Sequence, residues 1–222
     1  MVAMTYGAWF AARADGLGCK KSQCDVWSAG IACRLIRVRQ HEPSDQRPRG
    51  MMSRYVAFLR GVSPQNLSMA VLRQCLEACG YAEVRTVLSS GNVAFSTRTS
   101  SAAALERRVA ADIARGVGRS FGLTIRSMDE LTRLVQADPF KAFAVPLTAK
   151  RVVTFLHQPV VPPSPLPIER DGVQIFAAVE REVFTAYLPH PKGPVFMTML
   201  ERMFGKDITT RTLDTVKKCA EA

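Results

Sequence analysis

The chain has no apolar run approaching the about eighteen residues that a membrane-spanning helix needs, so none is expected. It has no lysine-bearing phosphate loop, no glycine-rich dinucleotide fingerprint and no GxSxG elbow. The usual sequence support for covalent or cofactor chemistry is therefore missing, and no cofactor is expected. Cys19, Cys24, Cys33 and His41 lack the tight pairs of a structural zinc site, and no metal site is expected. The stretch VAMTYGAWFAA has the look of a secretory core, yet no positive charge precedes it, and the cysteine usage is not that of an exported protein. A cytoplasmic protein with no membrane partner is expected.

Acidic residues are also scarce. Nineteen face thirty Lys and Arg, a net charge of +11, and only part of that surplus belongs to the first 51 residues. Such an excess favours anionic partners: phosphates, nucleic acid or an acidic protein. The basic residues are scattered rather than gathered into one run, which restrains the nucleic-acid reading. What the chain has in quantity is apolar residue, 47%, enough for a folded core in a chain of 222 residues.

Residues 1–50 carry no sustained helical or strand period and end in the breaker-rich HEPSDQRPRG, so they are expected to be a disordered or wrongly assigned N-terminal extension. The pattern changes at Met51-Met52. A dense apolar strand covers about Arg54 to Arg60. Ser68 caps a helix whose apolar face is Met69, Leu72, Cys75, Leu76 and Cys79, ending at Gly80; both cysteines are expected to pack as small hydrophobes. Glu83–Leu88 and Asn92–Ser96 read as a hairpin around SSGN, with Gly91 and Asn92 at positive φ. Leu105, Val109, Ile113 and Val117 mark a second helix, and Leu123–Arg126 alternates as a fourth strand. Ser127 and Glu130 form a capping box for a third helix that stops at Asp138.

That order is the ferredoxin-like βαββαβ. The fold class expected is α+β, with a ferredoxin-like subdomain over residues 52–140 and a second, smaller α+β subdomain over 150–222. The first strand is apolar on both faces and is expected to be central, with the fourth at an edge and the later chain covering the face that the helices leave open. The second part offers strands near Arg151–His157, Val173–Val179 and Val183–Leu188, a helix from about Pro194 to Phe204, and another from Thr212 to Ala220 with Leu213, Val216 and Ala220 inward.

Small polar and basic residues gather in RGVSPQN, SSGN and DITTRT. In βαββαβ order the first two segments meet at one end of the sheet. A helix start, a glycine turn and a fixed positive charge there suit a phosphate or carboxylate. The candidate ligand-binding residues are Arg60, Gly61, Asn66, Ser89, Ser90, Gly91, Asn92, Thr210 and Arg211. The same residue types also build ordinary turns, and the TTRT threonines also serve as helix caps. Neither His157 nor His190 stands in a nucleophile or metal motif, and a structural role is expected for each. No catalytic residues are assigned.

The segments RYVAFLRGV, MAVLRQCLEACGYAEVRTVLSSGNVAF and DITTRTLDTVKK together resemble a bacterial family, domain of unknown function 1697, over about Met52 to Ala222. The resemblance implies a cytoplasmic α+β protein with a ferredoxin-like part and carries over no catalytic residues. SPQN stands where the common form has a longer glycine- and lysine-bearing loop, and Thr212-Leu213 where it has an Asn-Trp pair. The leading expectation is a binding protein for a phosphate-bearing or nucleic-acid ligand at this rim; the alternatives are a small enzyme using the same cleft and a protein-interaction module. Oligomeric state is not legible.

Overall fold

A computed structural model of the chain describes residues 51–189 and 195–222. The expected N-terminal extension, with Cys19, Cys24, Cys33 and His41, lies outside the described residues, as do His190 and Pro194. The protein is an α+β structure built on two antiparallel sheets.

The first sheet contains β1 (Met52–Leu59), β2 (Ala82–Val87), β3 (Asn92–Arg98) and β4 (Leu123–Ser127) in the order β2-β3-β1-β4. Helices α1 (Met69–Ala78), α2 (Ala102–Val117) and α3 (Met128–Ala137) follow β1, β3 and β4, so the first six elements have the expected β-α-β-β-α-β order. Strand β1 is internal and β4 lies at an edge. Both β1 and β2 run against β3, hence parallel to each other. The end of β1 therefore lies beside the β2–β3 turn: Phe58 pairs with Asn92, and Leu59 N–H donates to Gly91 O at 2.8 Å.

Alternation along β1 sorts its side chains to two cores. Tyr55, Ala57 and Leu59 pack under α1 and α2 against Leu72, Leu76, Leu105, Val109 and Ile113. Val56 and Phe58 face the later chain, where Phe58 stacks on Phe155 with ring centroids 4.6 Å apart. Burying each such aromatic contributes about 1.5–3 kcal/mol. The second sheet holds β5 (Lys150–Phe155), β6 (Ile168–Arg170), β7 (Val173–Val179), β8 (Glu182–Tyr187) and β9 (Thr209–Thr212) in the order β6-β7-β8-β5-β9. One face shares the Phe58 core with α3 and α5 (Leu213–Ala220); the other packs Val152, Ile175 and Val183 against α4 (Val195–Phe204).

Several local expectations need correction. The left-handed positions around the β2–β3 turn are Leu88 (φ +57°) and Gly91 (φ +76°); Asn92 is instead the first residue of β3. Cys79 is exposed, because it caps α1 instead of lying within its apolar face, whereas Cys75 is half-buried and turns its thiol toward Asp112 O. Thr209–Thr212 is a strand paired with β5, not only the lead-in to a cap. Edge strand β4 is buried on both faces, because the second sheet covers its outer side chains, and Arg126 is fully buried. The Ser127–Glu130 capping box forms as read. Among the described residues no helix is long and apolar enough to cross a membrane.

Arg126 binds the two sheets to each other. Its Nε donates to Glu182 Oε1 at 2.8 Å, Nη1 to Ile125 O at 2.8 Å, and Nη2 to Leu156 O at 2.7 Å and Arg181 O at 3.1 Å. Breaking a buried pair by removing one partner strands the other charge. Arg126→Met is expected to lower unfolding free energy by about 3–5 kcal/mol, with Arg126→Met/Glu182→Met recovering part of the loss, both read by urea denaturation. Close by, burial alone would raise the Glu130 carboxyl, but hydrogen bonds from the Ser127 N–H and hydroxyl, with Arg181 and Arg126 nearby, hold it below the usual carboxylate range. A depressed carboxylate stabilises the fold above its unfolded pKa and loses that contribution as pH falls through its folded pKa. Glu130→Gln is therefore expected to destabilise at neutral pH and flatten the acid limb of a stability-versus-pH curve.

Candidate functional site at the sheet rim

The rim is assembled around Arg211 on β9. Its Nε donates to Asn92 Oδ1, Nη1 to Thr210 O at 2.7 Å, and Nη2 to Leu59 O at 2.6 Å and Ser90 O at 3.1 Å. The guanidinium also lies 5.8 Å from the centroid of the Phe58 ring. One side chain thus draws together the end of β1, the β2–β3 turn and β9, three segments distant in sequence. Asn92, fully buried, completes the turn by donating Nδ2 to Val87 O at 3.0 Å and Ser90 Oγ at 3.1 Å.

Every hydrogen bond from Arg211 goes to a neutral acceptor, and among the described residues no carboxylate pairs with it. Partial burial lowers its pKa to about 10, and the nearby Cys219 acts in the opposite sense. The group remains protonated at neutral pH. Burial likewise pushes the Cys219 thiol up to about 11, despite the opposing effect of Arg211, so it is not a thiolate nucleophile.

The remaining candidate residues divide by position. Arg60 is exposed; its N–H donates to Gly122 O at 2.7 Å and its Nη1 to Lys206 O, which joins the rim to the α4–β9 loop. Gly61 is exposed at φ +72°. Asn66 braces the loop, accepting from Ser63 N–H at 2.9 Å and donating to Gly61 O at 2.7 Å. Ser89 and Ser90 are exposed beside them. Thr210 contributes its carbonyl to Arg211 but turns its hydroxyl away, toward Met197 Sδ at 3.4 Å.

Sequence reasoning missed a second polar group. His157 Nδ1 lies 2.9 Å from Glu106 Oε2, and His157 Nε2 3.4 Å from Asp207 Oδ2. The other oxygen of Glu106 accepts the outward N–H of Ile125 on edge strand β4 at 2.8 Å. Asp207 follows Lys206, whose carbonyl receives Arg60, so this triad adjoins the rim. Its members are 50 or more positions apart, and no local motif announces them. Among the described residues no group of three or more His, Cys, Asp or Glu side chains is placed to hold a metal ion.

Residues 52–184 match the family described as "Protein of unknown function (DUF1697)". The chain belongs to that family. The match ends before β9, so Thr210 and Arg211 lie beyond it. Among solved structures, this DUF1697 chain is similar to the conserved bacterial protein SP0830 from Streptococcus pneumoniae, at 18% identity and a TM-score of 0.58, covering 77% of this chain and 98% of that one. At that identity the likeness speaks for the fold. No curated protein matches.

The turn itself is sterically fixed. A Cβ on Gly91 would stand 2.8 Å from Val62 Cγ2, whereas a Cβ on Gly61 meets nothing within 4 Å. Both need a left-handed φ, which costs about 1–2 kcal/mol in a residue with a side chain. Gly61→Ala is expected to lose about that amount, and Gly91→Ala clearly more because overlap adds to it; thermal unfolding of the two variants makes the comparison.

Proposed function

We propose that this protein binds an anionic ligand, a phosphate-bearing small molecule or a nucleic-acid strand, at the rim formed by Arg60, Gly61, Ser89 and Ser90 over Arg211. The observation that carries the reading is the half-buried, protonated Arg211 with only neutral acceptors around it among the described residues. A partly desolvated cation without a counterion leaves a positive potential, and here it lies beneath an exposed turn. Its hydrogen-bonding capacity is largely spent on backbone, so Arg211 acts at a distance as a fixed charge. Direct contact falls to exposed Arg60, to the serine hydroxyls and to neighbouring Lys206. In this reading residues 52–140 and 150–222 act as two subdomains that each supply part of the rim. The unpaired Cys75, Cys79 and Cys219 suit the reducing cytoplasm assumed for it.

A second reading, a small enzyme using the same rim, is favoured by the Glu106–His157–Asp207 triad beside Arg60's acceptor. A carboxylate-held imidazole is the usual equipment for proton transfer. Turnover in a substrate screen that is lost in His157→Ala, with folding intact, selects this reading.

For the binding reading, titration with a labelled single-stranded oligonucleotide provides the test. Two phosphate contacts, from Arg60 and Lys206, correspond to an affinity loss of about sevenfold between about 50 and 200 mM salt. Arg60→Ala is expected to weaken binding and flatten that salt slope. Inorganic phosphate is expected to compete. Affinity indifferent to salt and to Arg60→Ala contradicts the proposal.

A further inference from the structure

Away from the rim, β2 is the outer strand of the first sheet among the described residues, and two adjoining concavities lie beside it. The first, about 570 Å³, includes Glu83, Val84 and Arg85 in its lining; the second, about 280 Å³, includes Arg85, Thr86 and Val87. A groove thus runs beside five consecutive residues of one edge strand. Arg73, from α1, lines both concavities.

The strand has two parts. Its register against β3 shifts between Ala82 and Arg85, with Glu83 in a left-handed conformation at φ +51°. From Arg85 to Val87 the pairing with Ala94, Val93 and Asn92 is regular. A regular edge presents outward backbone N–H and C=O groups to an incoming strand. The wall beside the irregular part is built rather than loose: Glu83 accepts from Ser96 Oγ at 2.6 Å and from Arg54 Nη1 at 3.1 Å, while Arg54 Nε donates to Ala222 O at 2.8 Å.

Charge selects the occupant. Arg54 is paired with Glu83, and Arg73 Nε with Glu77 at 2.8 Å. Arg85 is exposed and has no ion-pair partner among the described residues. The second concavity contains Arg73 and Arg85 and no Asp or Glu side chain. A second copy pairing through β2 would bring two uncompensated Arg85 charges together, and like charges across a strand pair destabilise it. We propose that this groove receives an extended peptide segment of a partner protein, which adds as a strand to the Arg85–Val87 edge of β2 and seats an acidic side chain between Arg73 and Arg85. The proposal does not depend on the rim reading.

Fluorescence polarisation of the full chain with three labelled octapeptides tests it: alternating valine and glutamate, alternating valine and lysine, and the glutamate peptide with proline in place of its valines. The glutamate peptide is expected to bind and the other two to fail, since lysine reverses the charge and proline removes the N–H donors. Arg85→Glu, at an exposed site that folding tolerates, is expected to weaken the glutamate peptide about tenfold or more and to admit the lysine peptide. Bound glutamate peptide is expected to slow amide exchange within Arg85–Val87. Any of four results overturns the proposal: no binding of the glutamate peptide at millimolar concentration, equal binding of the proline peptide, indifference to Arg85→Glu, or sedimentation as a dimer that Arg85→Glu dissociates, which assigns the groove to a second copy. Phosphate competition at the rim in Arg85→Glu reports on the other site, so the two proposals fail separately.

Discussion

A guanidinium withdrawn from water has to find an acceptor for nearly every N–H it hides, and two arginines, the fully buried Arg126 and the half-buried Arg211, organise this molecule. Carbonyl oxygens are the densest supply of acceptors in a protein, but in regular structure most are already engaged. Each arginine therefore takes one acceptor on its own edge strand and gathers the others where strands end or turn. Arg126 takes Ile125, Leu156 and Arg181. Arg211 takes Leu59, Ser90 and Thr210. Segments from both sheets must converge on these points before Arg126 can be buried and Arg211 half-buried.

The apolar layers supply the driving force and the two arginines supply register. Phe58 stacked on Phe155 brings β1 and β5 together, and hydrophobic packing of this kind tolerates small slides. Hydrogen bonds from a planar, forked cation do not, because their directions are fixed. The two groups differ in one respect that matters for function. Arg126 is neutralised by Glu182, whereas Arg211 has dipoles around it and no counterion among the described residues. The first is complete as a structural bolt; the second leaves a charge to be answered.

Much of the fold was legible because it follows from local chemistry. The two-sided apolar run Tyr55–Leu59 marked a central strand, Ser127 with Glu130 marked a helix start, and the βαββαβ order placed the end of β1 beside the SSGN turn. What stayed hidden depends on partners remote in sequence. An arginine closing a short edge strand reads as solvent-facing until Glu182, 56 positions later, covers it. Thr209–Thr212 reads as polar loop because its strand character comes from pairing with β5. Asn92 looks like a turn residue needing positive φ, yet its value lies in an amide that reaches Val87, Ser90 and Arg211 at once. Of the candidate site, the meeting of the β1 end with the β2–β3 turn was readable; that Arg211 would be consumed in holding them was not, since backbone acceptors leave no trace in sequence.

The central claim is that the unanswered charge of Arg211 makes the rim an anion site. The most direct measurement is anomalous diffraction from crystals soaked in selenate, a tetrahedral oxyanion whose selenium is located without reference to the protein phases. The account places the selenium peak over the Ser89–Gly91 turn within hydrogen-bonding reach of Arg60. A well-measured map with no peak there, or with selenium only at other basic side chains, contradicts it.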